Sequence, residues 1–302
     1  MTTEAKAKLT SVSYVMPVLN EQKYLEAAVL SILAQEFDGP VEVILALGPS
    51  TDATDAIAEN LALAYPVNLV RNPAGTTSAG LNAAIAAAVN DVVVRVDAHA
   101  KLMPGYTKLA VHILNETGAA NVGGVMKAVG HHAFQSAVAW AYNTPFGLGG
   151  GAFHVGGEAG PSDSVYLGVF RRSVLKALGG FDPAVIRGQD WELNLRIRQS
   201  GEVVWFDPRL QVEYHPRSSW RKLARQFYDT GIWRGELTSP YGLYLVIEDD
   251  GEVTIAMGTA TTPLARAMPV VVVGDRSWNG SGVLVPNPHC VVFLDDDAEL
   301  ES

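Results

Sequence analysis

Apolar residues along the first hundred positions alternate between two rhythms. Val12–Val18 and Val41–Leu47 are nearly continuous apolar runs of strand length, and Val67–Val70 and Val92–Val96 repeat them in shorter form. Between these runs, Glu21–Glu36 places Leu25, Val29 and Ile32 at helical spacing. Ser50–Ala64 opens on a Ser/Thr/Asp cluster suited to an N-cap, and Ser78–Val89 is an alanine-rich helical stretch. Strand and helix in strict alternation predict βαβ units, hence an α/β protein whose parallel strands are buried on both faces.

Beyond Gly118 the rhythm loosens. Up to Gly160, and above all in "GLGGGAFHVGGEAG", glycine outweighs apolar periodicity, which predicts a mobile loop in place of core elements. Order returns at Val165, Asp190–Gln199 predicts a helix, and Arg217–Trp233 predicts an amphipathic helix carrying basic and aromatic residues. After Pro240 the texture changes to short strands, with "GLYLVIEDDGEVTIAM" reading as a hairpin turned at Asp249-Asp250-Gly251. The expected division is a domain over residues 1–239, in halves 11–100 and 101–239, followed by a small β-rich segment over 240–302. No internal repeat is visible.

Composition narrows the classes. With 48% hydrophobic residues, 302 positions suffice for a large core, while a net charge of −10 argues against a nucleic-acid partner. The lone Cys290 forms no internal disulfide and "MTTEAKAKLT" lacks a signal-peptide core, so a cytoplasmic location is expected. No window approaches the ~18 apolar residues of a membrane span. Peripheral contact with the inner face of a membrane stays open.

The run "VVVRVDAHA", Val92–Ala100, ends a buried strand with an acid and an imidazole two positions apart. In an open parallel sheet, ligands bind beyond the carboxyl ends of the strands, and alternate spacing sends Asp97 and His99 to one side. Such a pair suits a divalent cation, which would neutralise a diphosphate. An acid ending a strand equally caps a helix or bonds a loop, so spacing alone leaves both readings.

The wider sequence adds company. "SYVMPVLNEQKYLEAAVLSILAQ", "GPSTDATDAIA", "NPAGTTSAGLNAAI" and "VVRVDAHA" resemble, in order and spacing, the nucleotide-sugar domain of family 2 glycosyltransferases with the GT-A fold. "DSVYLGVFRRSVLKALGGFDPAVIRGQDWELNLRIRQSG" and "PRSSWRKLARQFYDTGIWR" resemble the bacterial succinoglycan-type branch, and together the strings cover Ser11–Arg234. The resemblance implies a GT-A type, Rossmann-like, mostly parallel sheet flanked by helices. It also implies inverting, metal-dependent transfer of a sugar from a nucleoside diphosphate donor, UDP-sugars favoured, to a hydroxyl of a glycan or lipid-linked acceptor. The implied cofactor is Mn2+ or Mg2+.

Carried over residue by residue, the resemblance sets Pro17, Asn20 and Glu21 beside the nucleoside, where Asn20-Glu21 also reads as a helix start. Asp52 follows the position of a nucleobase-binding acid pair. Here Leu47-Gly48-Pro49-Ser50 replaces the family's Asp-Asp-Gly-Ser, leaving Ser50 or backbone groups to read the base. Gly75, Ser78 and Asn82 match the region beside the diphosphate, and a helix N-terminus attracts phosphate or is simply capped by the same residues. Asp97 matches the first acid of an Asp-x-Asp metal motif, His99 stands at the second, and His215 stands where a distal third ligand occurs. Arg95 reads as a partner for Asp97, a partner for phosphate, or a surface salt bridge.

Inversion needs a base opposite the leaving group. Asp190 matches the family's base, heading a helix with Leu193, Leu195 and Ile197 as its apolar stripe, and on the residues alone it is also an N-cap. Asp163, Trp191 and Glu192 are implied on the acceptor side, and Arg217, Trp233 and Arg234 at the phosphate or a closing loop. The glycine-rich stretch Gly149–Gly160 would close over the donor. The basic, aromatic segment equally suits an anionic bilayer. A dehydrogenase is disfavoured by Pro-Val-Leu-Asn-Glu where Gly-x-Gly-x-x-Gly belongs, and a sugar nucleotidyltransferase by the missing basic glycine-rich loop. A catalytically inactive sugar-nucleotide-binding module stays open, because the nucleobase acids are replaced.

Overall fold

The computed structural model describes residues 7–144 and 151–228, and beyond these the backbone of six short strands between Leu243 and Val291. The chain divides into two compact units, Met1–Trp233 and Arg234–Ser302.

In the first unit, β1 (Val12–Val18), β2 (Val41–Leu47), β3 (Val67–Arg71) and β4 (Val92–Arg95) form a parallel set with β1 between β2 and β4. The full order is β3-β2-β1-β4-β8-β6-β9-β5, where β5 is Ala100–Leu102, β6 Asn121–Ala128, β8 Tyr166–Arg171 and β9 Val204–Tyr214. The short β7 (Gly160–Pro161) pairs antiparallel with β9. Strand β8 runs antiparallel to both β4 and β6, so the later strands join the parallel set through a reversed strand.

The period-2 alternation of each strand divides the core between the two faces. Tyr14, Met16 and Val18 face α1 (Leu25–Leu33), α2 (Thr54–Ala64) and α4 (Tyr106–Thr117), whereas Val15 and Ile44 face α3 (Thr77–Ala87), α7 (Arg172–Ala177) and α8 (Gln189–Gln199). Leu193 and Ile197, one turn apart on α8, are fully buried, while Leu195, two positions on, leaves that stripe because i and i+2 point apart on a helix. Helices α1 and α2 begin later than the apolar pattern suggested. The amides of Tyr24 and Leu25 both bond the Glu21 carbonyl in a lead-in turn, and the Ser50–Ala53 cluster forms the entry to α2.

The loop expected over residues 118–160 is the main correction. It contains β6, a central strand, and α5 (Ala133–Tyr142), which packs Val138, Ala139 and Tyr142 on Met126 and Tyr214. The two glycines that weakened the apolar signal are required by packing: a Cβ on Gly124 would collide with the Leu210 carbonyl, and one on Gly123 would lie 2.8 Å from Val165. A short helix, α6 (Ala152–Val155), follows, and residues 145–150 lie outside the described residues.

In the second unit, β10 (Leu243–Ile247) pairs antiparallel with β11 (Val253–Met257), as the hairpin reading anticipated, and Asp249–Gly251 lie outside the described residues. Strands β12 (Val270–Val273) and β13 (Arg276–Asn279), and β14 (Ser281–Val283) and β15 (His289–Val291), form two more antiparallel pairs. Among the described residues, no helix is long and apolar enough to cross a membrane.

Candidate active site

The candidate residues gather beyond the carboxyl ends of β1, β2 and β4, where an open α/β sheet leaves its crevice. Three loops meet there. Asn20, held at φ 56°, accepts the Thr51 amide at 2.8 Å and donates its own amide to the Ser50 hydroxyl at 3.1 Å. The Glu21 amide donates to Thr54 Oγ1 at 2.8 Å, the Gln22 amide donates to Asp52 Oδ2 at 3.4 Å, and Gln22 Oε1 accepts the Ala53 amide at 3.2 Å. Asp52 also accepts the Thr54 hydroxyl, which holds its carboxyl below the usual aspartate value. Gly75, at φ 67°, lies against Pro49, and Pro17 is packed by Gly80 of α3. Much of the polar capacity assigned to the nucleoside thus laces the β1 and β2 loops together.

Asp97 and His99 occupy a turn, not a continued strand: β4 stops at Arg95 and the Asp97 carbonyl accepts the Ala100 amide at 2.9 Å. His99 Nδ1 lies 3.1 Å from Glu21 Oε1. Burial alone would pull the imidazole pKa down, but the Glu21 hydrogen bond and the charges of Asp97 and Glu21 outweigh it and raise the value above 6.5.

Arg95 is not at the surface. Its side chain is 4% exposed, its Nε and Nη2 donate to Asp97 Oδ1 at 3.2 and 3.1 Å, and its Nη1 donates to Asp190 Oδ1. The guanidinium carbon stands 5.8 Å from the centre of the Phe181 ring. A strand-end acid and a helix-head acid, 20% and 30% exposed, therefore converge on one buried cation.

The loop 178–188 that delivers Asp190 is fastened from below. Asn82 Nδ2 donates to the Phe181 carbonyl at 2.7 Å while its Oδ1 accepts the Phe181 amide at 2.8 Å. The buried Ser78 hydroxyl donates to the Val185 carbonyl at 2.8 Å. Arg196 reaches the carbonyls of Leu178 and Gly180 at 2.8 and 2.9 Å, and both oxygens of Glu192, a 5% exposed residue, bond Arg196. Ser78 and Asn82, read from sequence beside the diphosphate, hold this loop, and Glu192 turns inward as its brace. The N-cap of α3 is Thr76, whose hydroxyl accepts the Ala79 amide.

His215 is held by contacts of its own. Its Nδ1 faces the Val129 carbonyl at 3.3 Å, its Nε2 faces Glu213 at 3.5 Å, and its ring lies 4.6 Å from that of His131. Among the described residues, no group of three or more His, Cys, Asp or Glu side chains is arranged to hold a metal ion. Both Arg95 contacts fall on Oδ1 of Asp97, so Oδ2 is the carboxylate oxygen that would suit a hard divalent cation. Asp163 is exposed and paired with Arg198 at 2.7 Å; Trp191 is half-buried on α8. Arg217 Nε donates to Gln226 at 3.1 Å, while Trp233 and Arg234 lie outside the described residues. Sequence reasoning passed over Tyr166, whose buried hydroxyl has no hydrogen-bond partner among the described residues and whose phenol burial pushes well above the usual tyrosine value, with Asp97 adding to the shift. Its only signal was an aromatic just before "LGVFRR".

A mostly parallel sheet with a reversed strand within it, and acids from the turn after β4 and the head of α8 facing one crevice, define a GT-A glycosyltransferase fold. The family profile of glycosyl transferase family 2 matches residues 13–179, and the chain belongs to that family. It is 32% identical over 234 residues to the succinoglycan biosynthesis protein ExoA of Rhizobium meliloti (strain 1021), covering 76% of this chain and 71% of that one. It is 25% identical over 234 residues to a dolichyl N-acetyl-alpha-D-glucosaminyl phosphate 3-beta-D-2,3-diacetamido-2,3-dideoxy-beta-D-glucuronosyltransferase of Methanococcus voltae, covering 74% and 73%. Among solved structures, the fold is similar to S. aureus TarS 1-349 in complex with UDP, with TM-score 0.55, 15% identity, and coverage of 76% of this chain and 72% of that one. It is also similar to the mannosyltransferase PcManGT of Pyrobaculum calidifontis in complex with GDP-Man and Mn2+, with TM-score 0.59, 18% identity and coverage of 78% and 66%.

Proposed function

We propose that this glycosyltransferase moves a sugar, with inversion, from a nucleoside diphosphate donor to a hydroxyl of a glycan or lipid-linked acceptor in polysaccharide or glycoconjugate assembly. The observation that carries the reading is the convergence of Asp97 and Asp190 on Arg95, which supports assigning them as a cation-binding acid and a base of one site. Asp190 takes the acceptor O–H proton as that oxygen bonds the anomeric carbon, the bond from that carbon to the diphosphate oxygen breaks, and its electron pair leaves with the nucleoside diphosphate. A divalent cation, Mn2+ or Mg2+, when bound, neutralises charge on the leaving diphosphate. Asp97 Oδ2 is the group of this chain that would hold it. The rigid β1 and β2 loops are assigned to the nucleoside, and a UDP-sugar is the favoured donor, in line with the UDP of the TarS complex.

The acceptor side is assigned to Asp163 and Trp191, and the phosphate side to Arg217. The helix over residues 220–228 supports membrane contact, since exposed Trp220, Phe227 and Tyr228 stand among exposed Arg221, Lys222 and Arg225. Calorimetric titration with UDP-, GDP- and dTDP-sugars, each with Mn2+ and with EDTA, tests the donor site. Metal-dependent binding of one nucleotide is expected. Absence of binding by all of them, in a folded protein, would favour an inactive relative.

A further inference from the structure

We propose that Arg95 is a positioning residue for transfer: one buried guanidinium fixes the separation between the acid beyond β4 and the acid at the head of α8, and so aims Asp190 at the reacting centre. The inference rests on the reading of Asp190 as the base.

Arg95 ends a strand whose other residues, Val92, Val93 and Val94, are fully buried and apolar. A cation at such a place is costly unless it is paired and hydrogen-bonded. Its pairing spans 95 positions of sequence and joins the nucleotide-side half of the sheet to the acceptor-side half. The planar, rigid fork of an arginine can address two carboxylates at once, which the point charge of a lysine cannot reproduce. The plane is fixed in turn by Phe181, whose backbone Asn82 grips at both its amide and its carbonyl. Without the guanidinium, two carboxylates would face one crevice with nothing between them, and repulsion would turn Asp190 away. Arg95 therefore acts on the reaction through Asp190, without itself needing to touch the sugar.

The experiment uses the full chain with UDP-glucose, UDP-N-acetylglucosamine and GDP-mannose in turn, with Mn2+, reading release of nucleoside diphosphate with water as acceptor. Wild type is compared with Arg95→Lys, Arg95→Gln, Asp190→Asn and the Gln/Asn double variant. A base displaced by an ångström loses about 100-fold in rate, so Arg95→Gln is expected to lose kcat on that scale with donor KM unchanged. Arg95→Lys should recover part of the loss, and it keeps the comparison available should the Gln variant fold poorly. In the Asp190→Asn background, Arg95→Gln should add no further loss. A raised donor KM with intact kcat, or losses that multiply in the double variant, would overturn the inference. An inactive Asp190→Asn beside an unaffected Arg95→Gln removes only the inference, whereas wild-type release by Asp190→Asn removes the base assignment with it. A readout independent of turnover is the urea midpoint: the two single shifts should exceed their combined effect in the double variant, and additive shifts would show that the bridge does not couple the residues.

Discussion

His99 and Glu21 stand 3.1 Å apart, joining the turn after β4 to the loop after β1. The imidazole has its pKa raised, so the stabilisation from the pair is fully present below the unfolded value of 6.5 and is lost as pH rises through the higher folded value. In the metal-free protein, NMR titration should place the His99 midpoint above 6.5. In Glu21→Gln the midpoint should fall, because burial remains while the strongest opposing influence is gone. A curve unchanged by Glu21→Gln would show that the pair does not form.

Asp97→Ala should remove the metal-dependent part of donor affinity, read as loss of the difference between titrations with Mn2+ and with EDTA. Asp190→Asn should leave that difference intact and cut transfer by roughly 100- to 10,000-fold, the range of a general base. An Asp190→Asn variant that transfers at the wild-type rate would reassign the base.

Asn82→Ala should destabilise the fold and leave donor affinity unaltered, which separates the observed grip on Phe181 from a phosphate contact. Leaving a buried backbone amide and carbonyl unpaired costs about 1–3 kcal/mol for each group, so a lower melting temperature is the expected readout. Weakened donor binding at an unchanged melting temperature would restore the phosphate role.

Gly180→Ala should also destabilise. The residue lies at φ 75°, and an added Cβ would stand 2.5 Å from Asn82 Oδ1. The left-handed backbone alone costs a non-glycine residue about 1–2 kcal/mol. Because the clash is with Asn82, the alanine should cost less in an Asn82→Ala background, and urea unfolding of the four proteins checks that coupling.

Tyr166→Phe removes a buried hydroxyl that has no partner among the described residues. Donor-free stability should hold or rise, since an unsatisfied buried hydroxyl contributes a desolvation cost and no bond. A fall in melting temperature would reveal a contact at that oxygen.

The parallel half of the sheet was legible because β1, β2 and β4 are largely apolar on both faces, and the four runs read from sequence end within one residue of β1, β2, β3 and β4. The other half hid its signal. Strand β6 contains Gly123 and Gly124 because neighbouring chain leaves no room for a Cβ, and that same absence of side chains erased the periodicity. Helix α5 is rich in alanine and directly precedes the glycine run, so it merged with it. At the site, Asp97 and Asp190 were visible as types and positions. Ser78 and Asn82 were visible as polar residues at a helix start, but spacing cannot tell whether such groups face a ligand or a loop 99 positions away, as Asn82 does. Arg95 was conspicuous as the one charge in an apolar strand, and only its partner at the head of α8 distinguishes a buried bridge from a surface pair.

The fastening of loop 178–188 has a consequence for genetics. A screen for clones that stop making product would recover Ser78, Asn82, Gly180 and Arg196 alongside Asp190, and a map of those hits would outline an active site larger than the one that meets the sugar. The two groups would separate by temperature: losses caused through the loop should be partly reversed in cells grown cool, whereas loss of the Asp190 carboxylate should be equal at every growth temperature.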